Sequence, residues 1–206
     1  LEQKIIDLLC EIPDSVNYTD VAEDLDSEDI PESRIEQVRE LLTNSDDYIV
    51  FQAAKLLTFW GDDYGFKALT ELFENNKLSH WVDHRIYGYD DTLQHVLRAF
   101  IHYWADKYDH GLGNSTKEKL FPYIVKIITA ANTQPFAIDS LFRLILEEDF
   151  KEYIPFLKKH LIAIIEYPEI HGWKIHDVIE LLLKIDPDFV YTLLEKKGKT
   201  LKDFDF

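Results

Sequence analysis

Residues 35–73 read IEQVRELLTNSDDYIVFQAAKLLTFWGDDYGFKALTELF, and this stretch decides the fold class. Ile35, Val38, Leu41 and Leu42 recur at helical spacing. Asn44, Ser45, Asp46 and Asp47 then supply a turn and short side chains that accept from the free amides of a helix start. The next apolar set, Ile49, Val50, Ala53, Leu56, Leu57 and Trp60, has a period near 3.6 and predicts a second helix rather than a strand. Gly61 stops it, and Asp62 and Asp63 cap a third helix carrying Phe66, Leu69, Leu72 and Phe73.

Working outward, related joints follow. EEDFKEYI begins at Glu147 and DPDFVYTL at Asp186, each placed after an apolar helical run as GDDYGF is after Trp60. The runs are Ile138, Leu141, Phe142 and Ile145, and then Trp173, Ile175, Val178, Ile179, Leu182 and Ile185. Three cognate joints predict an array of helical hairpins, with the tail residues Leu201 and Phe204 capping the last apolar face.

The Asp46-Asp47 turn, the Ala53-Ala54 pair with Leu57, and the Gly61-Asp62 step resemble a HEAT repeat. The resemblance implies an all-α fold, a right-handed α-solenoid of divergent HEAT-like hairpins, forming one domain over residues 1–206. Where many HEAT repeats carry an arginine early in the second helix this chain has Val50, so no Asp-Arg ladder between repeats is expected. The resemblance bears on shape more than on activity.

Charge is the strongest compositional signal. Net charge is -17, and residues 1–50 hold 15 acidic and 3 basic residues, contributing -12. The acidic N-terminal part, residues 1–34, includes DSVNYTDVAEDLDSEDIPE at 14–32, expected as a short helix or loop with a solvated acidic surface. Such a field repels phosphate backbones and anionic lipid and attracts basic surfaces. Direct nucleic-acid binding and membrane binding are therefore not expected. The lone cysteine, Cys10, allows no internal disulfide and sits on the apolar side of a predicted first helix. LEQKIIDLLCEI lacks the basic start and small-residue cleavage site of a secretory signal, and a reducing cytoplasmic setting is expected.

The pattern breaks at about 75–91, where NNKLSHWVDHRIYGYDD inserts between helices. Trp81, Arg85, Tyr87 and Tyr89 are residue types that dominate interface hot spots, and Asp83, His84, Asp90 and Asp91 lie among them. These eight residues form the candidate partner-binding site. The competing reading is that Trp81 and Tyr87 plug the gap the insertion opens. His80 and His84 would share one side if the stretch were helical, but the glutamate of HExxH is missing and no third ligand is fixed. His95 and His102 share a face of the following helix. No phosphate loop, nucleophile elbow or outstanding carboxylate pair is present, so no catalytic residue, cofactor or metal is assigned.

Size and acidity are similar in character to small bacterial toxin-immunity proteins, whose targets include nucleases with cationic grooves. The expected function is therefore protein–protein binding, most concretely an immunity protein that masks the basic active site of a toxin nuclease. The alternatives are an adaptor subunit of a stable complex, or an enzyme or lyase on a HEAT-like frame. The sequence leaves the oligomeric state open.

Overall fold

The computed structural model describes residues 2–206. The described residues form eleven α-helices joined by turns and short 3-10 segments, with no strand. They pack as two compact units, Leu1–Phe121 and Pro122–Phe206.

The first unit holds α1 (Gln3–Cys10), α2 (Glu32–Glu40), α3 (Asp47–Phe59), α4 (Asp63–Glu74) and α5 (Thr92–Asp109). The three helices expected over 35–73 are present, and their caps explain their bounds. Asp46 accepts from the Tyr48 amide at the start of α3, and Asp62 accepts from the Gly65 amide at the start of α4. Between them Gly61 adopts φ +74°, a left-handed conformation that a β-carbon would strain. Helix α3 is buried nearly all round, through Ile49, Phe51, Ala53, Ala54, Leu56, Leu57 and Phe59. Gly65 lets α4 lie against it. A β-carbon there would sit inside contact distance of Leu57 Cβ and 2.9 Å from the Leu57 carbonyl carbon.

An Asp–Arg contact does occur at this joint. Arg39, on α2, places Nε 2.9 Å and Nη2 2.5 Å from Asp62 Oδ2. Its guanidinium lies 5.3 Å from the Tyr64 ring. The arginine comes from the preceding helix, so Val50 at the expected position does not prevent the contact.

The acidic stretch is not wholly a solvated surface. It forms 3-10 turns at Ala22–Asp24 and Ser27–Asp29, and Ala22, Leu25 and Ile30 enter a core with Val38, Ala53, Leu56 and Leu57. The Trp60 indole donates to the Ala22 carbonyl at 2.8 Å, and Tyr18 donates to Asp29 while accepting from the Asp26 amide. Apolar residues thinly spaced among carboxylates still find the core because the turns bring them to one side.

Helix α6 (Gly113–Ala130) passes through Pro122 and is shared between the units. In the second unit, α7 (Phe142–Glu147) is shorter than the run from Ile138 to Ile145 predicts: Phe136, Ala137 and Ile138 are buried outside it, and a 3-10 turn at Asp139–Leu141 precedes it. Then come α8 (Ile154–Ile164), α9 (Pro168–His171), α10 (Trp173–Ile185) and α11 (Pro187–Lys197). Their core unites Leu161, Ile164, Ile175, Val178, Ile179, Leu182, Val190 and Leu194. Phe204 of the C-terminal tail joins it, above a capping box of Thr200 and Asp203.

The α10–α11 joint repeats the chemistry of the α3–α4 joint. Asp186 accepts from the Phe189 amide, and Lys158 on α8 donates to the same carboxylate while lying 4.9 Å from the Phe189 ring. The middle joint departs: Asp149 takes the left-handed conformation, φ +58°, that Gly61 takes in the first unit.

Candidate functional site

The insertion is a turn-bearing loop rather than a helix. Asp83 and Asp90 pair as an isolated antiparallel bridge, with the His84 amide donating to the Tyr89 carbonyl at 2.8 Å and the Asp91 amide to the Val82 carbonyl at 2.7 Å. Gly88, at φ +65°, closes the turn. His84 Nδ1 accepts from the amides of Ile86 and Tyr87 at 3.3 Å each, which places the proton of the neutral ring on Nε2. Its ring stacks on Tyr87 at 5.1 Å and on Tyr89 at 4.5 Å.

This geometry divides the eight candidates. Trp81 packs against Tyr48 and Phe51, at centroid distances of 5.7 and 6.3 Å, and its indole donates to the Lys77 carbonyl. Its contacts are those of the plug. Asp90 accepts from the Thr92 amide at the start of α5, Asp91 is buried, and burial together with Asp91 raises the Tyr89 pKa. Asp83, Arg85 and Tyr87 are exposed, Tyr87 at 68%. Ile86, which the sequence reading did not single out, is the most exposed large apolar residue of the chain's described part at 80%. The signal for it was available: a branched apolar residue between Arg85 and Tyr87, in a stretch with no helical periodicity.

The shared-face premise for His80 and His84 fails, because residues 79–84 are not helical and His80 has φ +59°. One nitrogen of His84 is also occupied by backbone amides. Among the described residues no three His, Cys, Asp or Glu side chains converge as a metal ion would need.

A cleft of about 320 Å³ opens beside this loop, within the first unit. Ile6, Leu9 and Cys10 of α1 form one wall, Asp20 to Glu23 another, and Tyr48, Gln52, Lys55 and Leu56 of α3 the third. Cys10 is exposed at its rim, not packed in a core, because α1 turns that side toward the opening. Lys55 is buried and its ammonium lies 2.5 Å from Glu23. Tyr48 belongs both to the cleft lining and to the Trp81 packing.

His95 lies between the acidic turn and the 75–91 loop, its Nε2 3.8 Å from the Asp91 carboxylate, and His102 faces the acidic turn. Burial and then Lys55 push the His95 pKa down to about 4, against the opposing pull of Glu23. Burial and Arg98 likewise lower that of His102, whose ring lies 4.7 Å from Phe59, while Asp24 and Glu23 oppose. Both are neutral near pH 7, and Lys55 is the cation of the cleft lining.

In the second unit, His160 is buried with Nδ1 2.7 Å from Asn132 Oδ1, and burial holds its pKa near 3. His171 is buried too, with its pKa lowered to about 4 by burial and by Lys174. Lys174 is buried and donates to the Pro135 carbonyl. Tyr167, Ile170 and Trp173, three residues apart along the α9 turn, are each about half exposed. Among the described residues no helix is long and apolar enough to cross a membrane.

The chain as a whole matches no protein-family model, no curated protein and no solved structure.

Proposed function

We propose that this chain is a protein-binding module on a HEAT-like α-solenoid frame, most concretely an immunity protein that neutralises a toxin nuclease in the cytoplasm by covering its basic active site. The observation that carries the reading is the 83–88 tip. A backbone bridge and the His84 stacking pre-order it while Arg85, Ile86 and Tyr87 stand clear of the body. Pre-ordering lowers the entropy lost on binding, and exposed aromatic, branched and guanidinium groups are the side chains that gain most contact. The -12 charge of residues 1–50 would steer a cationic surface toward the same unit.

The test is to purify the natively expressed chain with its partner and measure association over a range of salt. Affinity is expected to fall with salt, and the triple change Arg85→Ala, Ile86→Ala, Tyr87→Ala is expected to weaken it about thirtyfold or more with the helix content unchanged. Salt-independent binding, or full affinity in the triple variant, overturns the reading. The adaptor reading finds support of its own in Tyr167, Ile170 and Trp173, an exposed apolar trio that a second subunit would cover. Loss of partner on changing those residues, with the 83–88 tip dispensable, would select it.

A further inference from the structure

We propose that the cleft between α1, the Asp20–Glu23 segment and α3 is a receptor for one arginine side chain of the bound partner. Its volume of about 320 Å³ is at the lower end of the range of sites that enclose a small group. Its walls are of two kinds. Ile6, Leu9, Val21 and Leu56 are apolar and suit a methylene stem, whereas Gln52 and Asp20 offer acceptors to a charged head.

Charge selects the sign of the occupant. Lys55 is held by Glu23 at 2.5 Å, so that pair is neutral as a unit. His95, behind it, is uncharged near neutral pH and adds no positive field. Asp20 is exposed at the opening and its carboxylate is the uncompensated charge of the lining among the described residues. A guanidinium is more weakly hydrated than an ammonium and loses less on leaving water for an apolar-walled site. Tyr48 lines the cleft and packs on Trp81 at the base of the insertion, which places the cleft in the same unit as the 83–88 tip.

The inference rests on the reading of the chain as a binder of a basic protein, but its test needs no partner. The peptide acetyl-Leu-Arg-Leu-amide and its citrulline counterpart, which keeps the shape and loses the charge, are titrated into the whole chain and followed by two-dimensional amide NMR. The arginine peptide is expected to give saturable shifts at residues 20–23, 48 and 52, with the citrulline peptide about fivefold weaker. Asp20→Asn, a change at an exposed position, is expected to remove that preference. Val21→Arg, which offers the cleft a basic side chain from its own rim, is expected to compete with the peptide. Equal binding of the two peptides, shifts elsewhere on the surface, or no binding of either overturns the receptor. Those outcomes leave the tip untouched, since the tip is judged by the Arg85, Ile86 and Tyr87 variant against the natural partner.

Discussion

The joints α3–α4 and α10–α11 are made with one chemistry and differ in how far it is removed from water. In each, an aspartate caps the second helix through the amide three residues on, and takes a cation from an earlier helix that also lies over an aromatic ring. Asp62 has a side-chain exposure of 6% and Asp186 of 37%. Residue three after the cap is Gly65 in one joint and Phe189 in the other. The glycine draws α4 onto α3, and Lys107 and Tyr103 of α5 close over the neighbouring Asp63 and Gly61. The lesson is that a shared capping pattern does not carry a shared energy. Burial decides what the carboxylate is worth, and a residue with no side chain decides the burial.

The comparison can be broken most strongly at the core beneath the first joint. Leu57→Ala should cost about 2–5 kcal/mol, read by denaturant unfolding, since Leu57 is fully buried and carries the close contact with Gly65. Asp62→Ala should cost about 1–3 kcal/mol, because it removes a cap and leaves Arg39, a third exposed, with only the more distant Glu32 as a partner. Gly65→Ala should cost about 1–3 kcal/mol by overpacking, and α4 would have to move away from α3 to accept it. Asp186→Ala should give the smallest loss in the same assay. A loss there as large as that of Asp62→Ala would show that burial is not what separates the joints.

Acid sharpens the contrast from another side. His95 and His171 hold folded pKa values near 4 and His160 near 3, against 6.5 for the free imidazole. Between pH 6.5 and 4 the unfolded chain therefore binds more protons than the folded one, and stability falls as pH falls through that window. Asp186, whose pKa is lowered by Lys158 and by the Phe189 amide, adds a further loss as pH drops below the carboxylate range. Unfolding curves collected across these pH values should show the decline beginning near 6.5. Replacing His160 with Asn should flatten it, and an unchanged slope would remove the buried imidazoles as its cause.

How much of this was legible depended on whether a feature is local. Helix periods, the Asp46, Asp62 and Asp186 caps and the Phe204 tail could be read from spacing, because each is set within a few residues. The pairing of Arg39 with Asp62, or of Lys55 with Glu23, could not, since 23 and 32 positions separate the partners and only packing brings them together. The acidic stretch read as surface because carboxylates outnumber its apolar residues, yet Ala22, Leu25 and Ile30 are what fix it to α3. In the candidate site, residue type pointed to the insertion but could not divide it. Trp81 and Asp90 turned out to hold the loop, while Ile86 and Tyr87 are what it displays.

The tryptophans divide unevenly between the units. Trp60, Trp81 and Trp104 lie in the first, each with its indole N–H donated to a backbone carbonyl, and Trp173 stands in the second, about half exposed. Native emission should thus be dominated by the first unit, while circular dichroism at helical wavelengths weighs both. Unfolding followed by the two signals becomes a built-in test of cooperativity: coincident curves mean that the chain melts in one transition, and separated curves resolve the order in which the units melt.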